Sequence, residues 1–229
     1  MPRSFFHQSF PFLPRLAALL LLAGLIMAFS ASTWAQNPCK TGLADRIQSN
    51  YQALRGFKGR FSQEDTQSDG RVLKAGGEIS YLKPGRMRWA YDPPEEQLLV
   101  TDGETVWLHD PLLDNVTVQP LAGLTQGTPL SFLLGAGNLN TDFTCRPFTL
   151  APPKDGLVYL ELVPREPIPT LAYIQLGADP VTAFISALAM FDTQGNQRLV
   201  RFFDITLNPP LSPESFNFQV TPEMEVIEK

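Results

Sequence analysis

The sequence predicts a mainly β domain, an antiparallel meander that curls into a barrel or half-barrel with short helices laid on it. Three observations point there. From Phe57 onward apolar residues recur at every second position, with turn-forming residues between the runs. An amphipathic helical stretch precedes this meander, and a short, nearly all-apolar one interrupts it. Of the 229 residues 44% are hydrophobic and 10% aromatic, which is enough to bury a real core.

The amino terminus reads as an export signal. Met1 to Arg15 carry two arginines and no acid, Leu16 to Phe29 are an apolar run of 14, and Thr33-Trp34-Ala35 places small residues at the −3 and −1 positions. Cleavage before Gln36 leaves 194 residues as one domain, 36–229, and removing Arg3 and Arg15 takes the formal charge from −5 to −7. Cys39 follows Gln36-Asn37-Pro38 rather than the small apolar residues that precede a lipid-modified cysteine. The mature protein is therefore expected to be soluble, with no lipid anchor.

These numbers exclude several classes of function. No basic stripe exists to displace counterions from phosphates, so no nucleic-acid partner is expected. With His7 in the leader and His109 alone in the mature chain, no histidine metal site is expected, and two cysteines cannot make a thiolate zinc site. In an oxidising compartment Cys39 and Cys145 are expected to pair. Closing a loop of roughly 100 residues would stabilise the fold by about 4–5 kcal/mol in the chain-entropy account.

The elements follow in order. Asn37-Pro38 caps and opens a helix over 38–55, with Leu43, Ile47, Tyr51 and Leu54 on one face and Gly56 as its stop. Strand rhythm then runs from Phe57 through Gln63, and Ser68-Asp69-Gly70 turns the chain into Arg71 to Lys74. Further strands are expected at 76–82, 86–92, 96–101, 105–109 and 114–119, with turns at Lys83-Pro84-Gly85, Asp92-Pro93-Pro94, Thr101-Asp102-Gly103 and Asp110-Pro111. Met87, Trp89 and Tyr91 alternate with Arg86 and Arg88, and Ile79 and Tyr81 with Glu78 and Ser80, so one sheet face is aromatic and the other is expected to face water. Thr128-Pro129 starts a short helix ending at Leu134, which must lie on the sheet or close over a cavity. Strands resume at 157–163, 170–177, 182–191 and 197–206, and an extended piece, Phe216 to Val220, follows the proline-rich 209–213.

The block Gly77 to Pro94, followed by Val100-Thr101-Asp102-Gly103-Glu104-Thr105-Val106-Trp107 and Asp110-Pro111, resembles the LolA family of periplasmic carriers of outer-membrane lipoproteins. Phe57 and Arg60-Phe61-Ser62-Gln63 are similar to the family's first strand, Thr128 to Leu134 to its lid helix, and Phe216-Asn217-Phe218 to its C-terminal Phe-x-Phe element. The resemblance runs over most of 38–222, strongest at 57–111. It implies an incomplete, strongly curved antiparallel barrel, covered by helices, whose apolar cavity holds acyl chains without a cofactor. Phe57, Phe61, Ile79, Tyr81, Met87, Trp89 and Tyr91 would then line the sheet side, and Leu43, Ile47, Phe132 and Leu133 the lid. The family's lid-latching arginine corresponds to Lys83, a lysine that donates three bonds without the planar fork.

Implied partners are lipid-modified lipoproteins, an inner-membrane lipoprotein-releasing ABC transporter and an outer-membrane lipoprotein receptor, with the carrier monomeric in the periplasm. A second reading keeps the fold and changes the ligand to a glycolipid or other lipid, carried or sensed. A hydrolase built on Asp92, Glu95, Glu96, Asp102 and Asp110 is the enzyme alternative, but these acids lie in or beside turns, where backbone chemistry favours them.

Overall fold

The computed structural model describes residues 42–122, 137–148 and 150–228. The chain divides into two units, Met1–Ala35 and Gln36–Lys229, and all described residues belong to the second.

The first described element is the helix α1, Leu43–Ala53, which buries Leu43, Ile47 and Tyr51 on one face. It starts later than the expected 38, after Gly42 in a left-handed conformation, and the positions before Gly42 lie outside the described residues. It also ends before Gly56: Leu54 is already extended, and Gly56 opens the first strand instead. There a side chain would put its Cβ 2.4 Å from the Tyr81 carbonyl oxygen, so the glycine serves strand pairing rather than helix termination.

Among the described residues, twelve strands form a single sheet. They are β1 Gly56–Thr66, β2 Val72–Leu82, β3 Arg86–Tyr91, β4 Leu98–Asp102, β5 Thr105–Asp110, β6 Asn115–Pro120, β7 Phe143–Arg146, β8 Val158–Pro164, β9 Tyr173–Ala178, β10 Ile185–Phe191, β11 Gln197–Leu207 and β12 Glu225–Glu228. A four-residue helix, α2 Leu139–Asp142, precedes β7, capped by the Asn138 side chain. The spatial order β12-β6-β5-β4-β3-β2-β1-β11-β10-β9-β8-β7 does not close, and every pairing except β12 with β6 is antiparallel. The central seam is β1 with β11, which joins the two meanders into one curved sheet.

Several boundaries shift for tertiary reasons. The pieces expected at 71–74 and 76–82 are one strand, because Val72 to Gly76 pair with the far half of β1, from Thr66 to Ser62. The strand expected at 96–101 starts at Leu98, since the turn after β3 extends to Gln97, whose carbonyl accepts from the Tyr91 N–H. The one expected from 182 starts at Ile185, because the Asp179 carboxylate holds the N–H groups of Val181 and Thr182 in a turn. Edge strands β7 and β12 have no counterpart in the sequence reading; each is four residues long.

The face opposite the aromatic one does not simply meet water. Val100, Trp107 and Val118 are cross-strand partners on it, with Val116 one pair further along, and both Val100 and Val116 are fully buried. The segment after β11 covers them. Its 3-10 turn, Pro213–Phe216, packs on β3 and β4, Phe216 is completely buried, and Phe218 lies on the Trp107 and His109 rings.

On the far side of the sheet a second segment, 150–157, lies over the outer face of β8 to β11. Gln175 donates to the Leu150 carbonyl, and Asp155 accepts from Tyr159 and Arg201. Beneath it the buried Glu161 pairs with Arg146 at 2.8 Å and accepts from Gln175, which satisfies a charge that would otherwise be costly. Burial pushes the Asp155 carboxyl up, but hydrogen bonds from Arg201, Tyr159 and the Leu157 N–H outweigh it and hold it below the ordinary carboxylate range. A depressed folded pKa contributes stability that is complete above the unfolded value of about 3.9 and is lost as pH falls through the folded one. Asp155→Asn is therefore expected to lower the melting temperature near neutral pH and to make no difference in strong acid; an equal loss at both would refute the linkage.

Candidate functional site: a pinned helix and an apolar chamber

Strand alternation carries Phe57, Phe61, Ile79, Tyr81, Met87, Trp89 and Tyr91 to the concave face, and the β1–β11 seam brings Leu188, Met190, Val200 and Phe202 to face them. Gly77, opposite both Phe61 and Tyr91, makes the aromatic packing possible: a Cβ there would fall 1.9 Å from the Ala90 carbonyl oxygen and 3.0 Å from the Phe61 ring.

The concave interior has two ends. At one, α1 lays Leu43, Ile47 and Tyr51 onto Phe57, Ile79, Tyr81 and Phe184 in a filled core. Phe57 meets Tyr81 at 5.5 Å and Phe184 edge-on at 5.6 Å, and the Tyr51 ring stacks on Phe184 at 6.0 Å. Burial pushes the Tyr81 hydroxyl up to about 12, so it stays neutral. At the other end the interior opens into a chamber of about 280 Å³ lined by Met87, Trp89, Tyr91, Leu99, Leu188 and Val200, among others. Phe61 backs it, with its ring 4.6 Å from Trp89 and 5.1 Å from Tyr91.

Of the residues the sequence singles out, Met87, Trp89 and Tyr91 thus line open space. Leu43, Ile47, Phe57, Ile79 and Tyr81 sit in the filled end under α1, and Phe132, Leu133 and Cys39 lie outside the described residues. Cys145, on β7, packs against the core and is not a free thiol. The sequence reading missed Leu99, Leu108, Leu188, Met190 and Val200. Leu188 and Met190 show the alternation of β10, and Leu99 is the direct cross-strand partner of Trp89; what a single sequence lacks is the pairing that turns both sets toward one space.

Polar contacts pin α1 over the filled end from three sides. Lys83 Nζ donates to the Tyr51 carbonyl at 2.6 Å and the Gln52 carbonyl at 2.8 Å. Both are in the last turn, where carbonyls lack helical partners and the helix dipole favours a cation. Arg46 donates to the carbonyls of Pro180 and Val181, and Asn50 to that of Thr182, which ties the helix to the β9–β10 turn. From α2, the Leu139 N–H reaches Gln48 and the Asn140 side chain reaches Asp45. Arg86 and Arg88 lie on the opposite face of β3 from Met87 and Trp89.

Three of the five acids of the hydrolase alternative are engaged in structural roles. Asp92 pairs with Arg60, Asp102 accepts from the Glu104 and Thr105 N–H groups, and Asp110 accepts from Leu112, Leu113 and Gln97. No group of three metal-ligating side chains occurs among the described residues.

Residues 52–219 match the protein family described as "Outer membrane lipoprotein carrier protein LolA". A protein named outer-membrane lipoprotein carrier protein from Cupriavidus taiwanensis is 30% identical over 198 residues, spanning 85% of this chain and 92% of its own length. One of the same name from Pseudomonas aeruginosa is 31% identical over 219 residues, 94% of this chain and 100% of its own length. A third, from Dechloromonas aromatica, is 30% identical over 192 residues, covering 82% and 90%.

Proposed function

The chain belongs to the LolA family of outer-membrane lipoprotein carriers, and we propose that it carries lipoproteins across the periplasm by taking their acyl chains into the space between the sheet and α1. The observation that carries this reading is the chamber itself: mostly apolar walls, beside a filled end sealed by a helix that polar contacts tie at its rim. Burying acyl chains is favourable by roughly 0.8 kcal/mol per methylene, so the cargo needs no covalent bond to be held.

The size of the chamber sets the mechanism. At about 280 Å³ it falls just below the roughly 300–1,000 Å³ of pockets that enclose drug-sized ligands. A cargo with two or three acyl chains requires more, so in our reading α1 lifts, and Leu43, Ile47, Phe57, Ile79 and Tyr81 become cavity wall, with Phe132 and Leu133 on a second lid segment. Lys83 latches the closed state, and closure drives release. Residues 1–35 act as a cleaved export signal, Cys39 pairs with Cys145, and the monomeric carrier takes cargo from an inner-membrane ABC transporter and hands it to an outer-membrane receptor. No enzymatic step is involved.

Native mass spectrometry of the mature protein, purified gently from a periplasmic extract, tests the reading. A one-to-one complex with a lipid-modified protein is expected. A free glycolipid or phospholipid in its place would keep the fold and move the function to lipid transfer.

A further inference from the structure

The chamber is not apolar throughout. Toward the end remote from α1 it meets a second pocket, of about 370 Å³, between the β10–β11 hairpin and the 168–171 segment, and the two share Met190 and Arg198. A chain of polar groups stands at this boundary. Arg198 donates from Nε and Nη2 to the two carboxylate oxygens of Asp65, each at 2.8 Å, Gln63 donates to Asp65, and the Tyr91 hydroxyl donates to Gln63 at 2.9 Å. Asp65 occupies two of the five guanidinium N–H donors, which leaves three outside that pair on a side chain that lines both pockets. Inside the chamber wall, two positions from Tyr91 along β3, the Trp89 Nε1 donor is buried beside the Tyr91 hydroxyl but forms no hydrogen bond of normal geometry among the described residues. Buried donors in native proteins are nearly always satisfied, so a donor left this way on a cavity wall marks a place for an acceptor.

We propose that this boundary binds the ester carbonyls of a glyceryl-linked lipid, with Trp89 Nε1 and the Arg198 guanidinium as their donors. The inference rests on the carrier reading and adds to it an orientation. Acyl chains would point toward α1, the ester junction would sit at Trp89 and Arg198, and the glyceryl group and attached peptide would leave through the polar pocket past Asp192 and Asn196. Several features suit the ligand class. An ester offers acceptors only, matching a site that presents donors. The carbonyls lie one atom from the start of each chain, where an apolar chamber must give way to polar surroundings. Asp65 holds Arg198 charged, and burial keeps the Tyr91 phenol neutral, so the site keeps its donors over the whole physiological pH range.

The test compares two synthetic probes on the mature protein: a lipopeptide with two palmitoyl esters on an N-terminal glyceryl-cysteine, and its analogue with two hexadecyl ethers, which lacks both carbonyls. The readout is the ratio of their dissociation constants, which a general loosening of the chamber moves little because it weakens both. The native protein is expected to prefer the diester by about tenfold or more. Trp89→Phe, which keeps a ring and removes the donor, and the paired change Asp65→Asn with Arg198→Gln, which avoids stranding a carboxylate, are each expected to cut that preference severalfold. Two variants guard against one failing to fold, which a thermal melt reveals. Equal affinity of the native protein for both probes, or an unchanged ratio in the folded variants, overturns the ester site and leaves the carrier reading standing. Failure of the native protein to bind either probe overturns the carrier reading and the ester site with it.

Discussion

Lys83→Leu is expected to tighten the hold on a lipopeptide and slow its release about tenfold. Lys83 Nζ makes two charge-assisted bonds to carbonyls of the last turn of α1. Hydrogen bonds to charged groups contribute about 1.5–3 kcal/mol when buried, and discounting for the partial exposure of this one leaves ~1–2 kcal/mol for the pair. In our reading cargo binds the open form, so its apparent affinity is reduced by the fraction of protein that is closed. Removing ~1.4 kcal/mol from the closed state raises the open fraction, and with it the affinity, about tenfold. Arg46, Asn50 and the α2 contacts persist, so α1 should still dock and the fold should survive. Lys83→Arg, which can reach the same carbonyls, should stay near the native value. Transfer of a fluorescent lipopeptide from the protein to acceptor vesicles measures the rate; an unchanged rate in Lys83→Leu would mean that these two bonds do not hold the lid.

The largest expected loss of stability comes from Phe216→Ala. Phe216 is completely buried on the convex face against β3 and β4, in a 3-10 turn with few other anchors. Phenylalanine-to-alanine changes in cores cost about 3–5 kcal/mol, and for a domain this size each kcal/mol lowers the melting temperature by about 2–4 °C. A drop on the order of 10 °C is expected by circular dichroism. Because the same segment carries Phe218 onto Trp107 and delivers β12 to the edge of the sheet, the variant should also expose Trp107, visible as a red shift in fluorescence. A shift of only a few degrees would show that the segment lies on the sheet without holding it.

Much of this protein follows from local rules that a sequence states directly. The period-two rhythm, Ser68-Asp69-Gly70 as a turn, the one-sided run Met87, Trp89, Tyr91 and the single disulfide-capable pair all depend on neighbouring residues or on composition. Lys83 was legible through resemblance, and the structure places its ammonium on the α1 carbonyls. The polar boundary at Arg198 was not legible, because Asp65 and Arg198 are 133 positions apart and meet only across the β1–β11 seam.

The same division explains the rest. Sequence by itself determined which residues point together along each strand, because side-chain alternation is a property of the strand backbone alone. Only the tertiary structure decided that Leu188 and Val200 face Trp89, that the outer face is covered by Phe216 and by 150–157, and that four-residue edges such as β12 pair at all. Those outcomes depend on contacts between distant segments, whose stabilisation must exceed the entropy of bringing them together, and no local pattern in either segment records its partner.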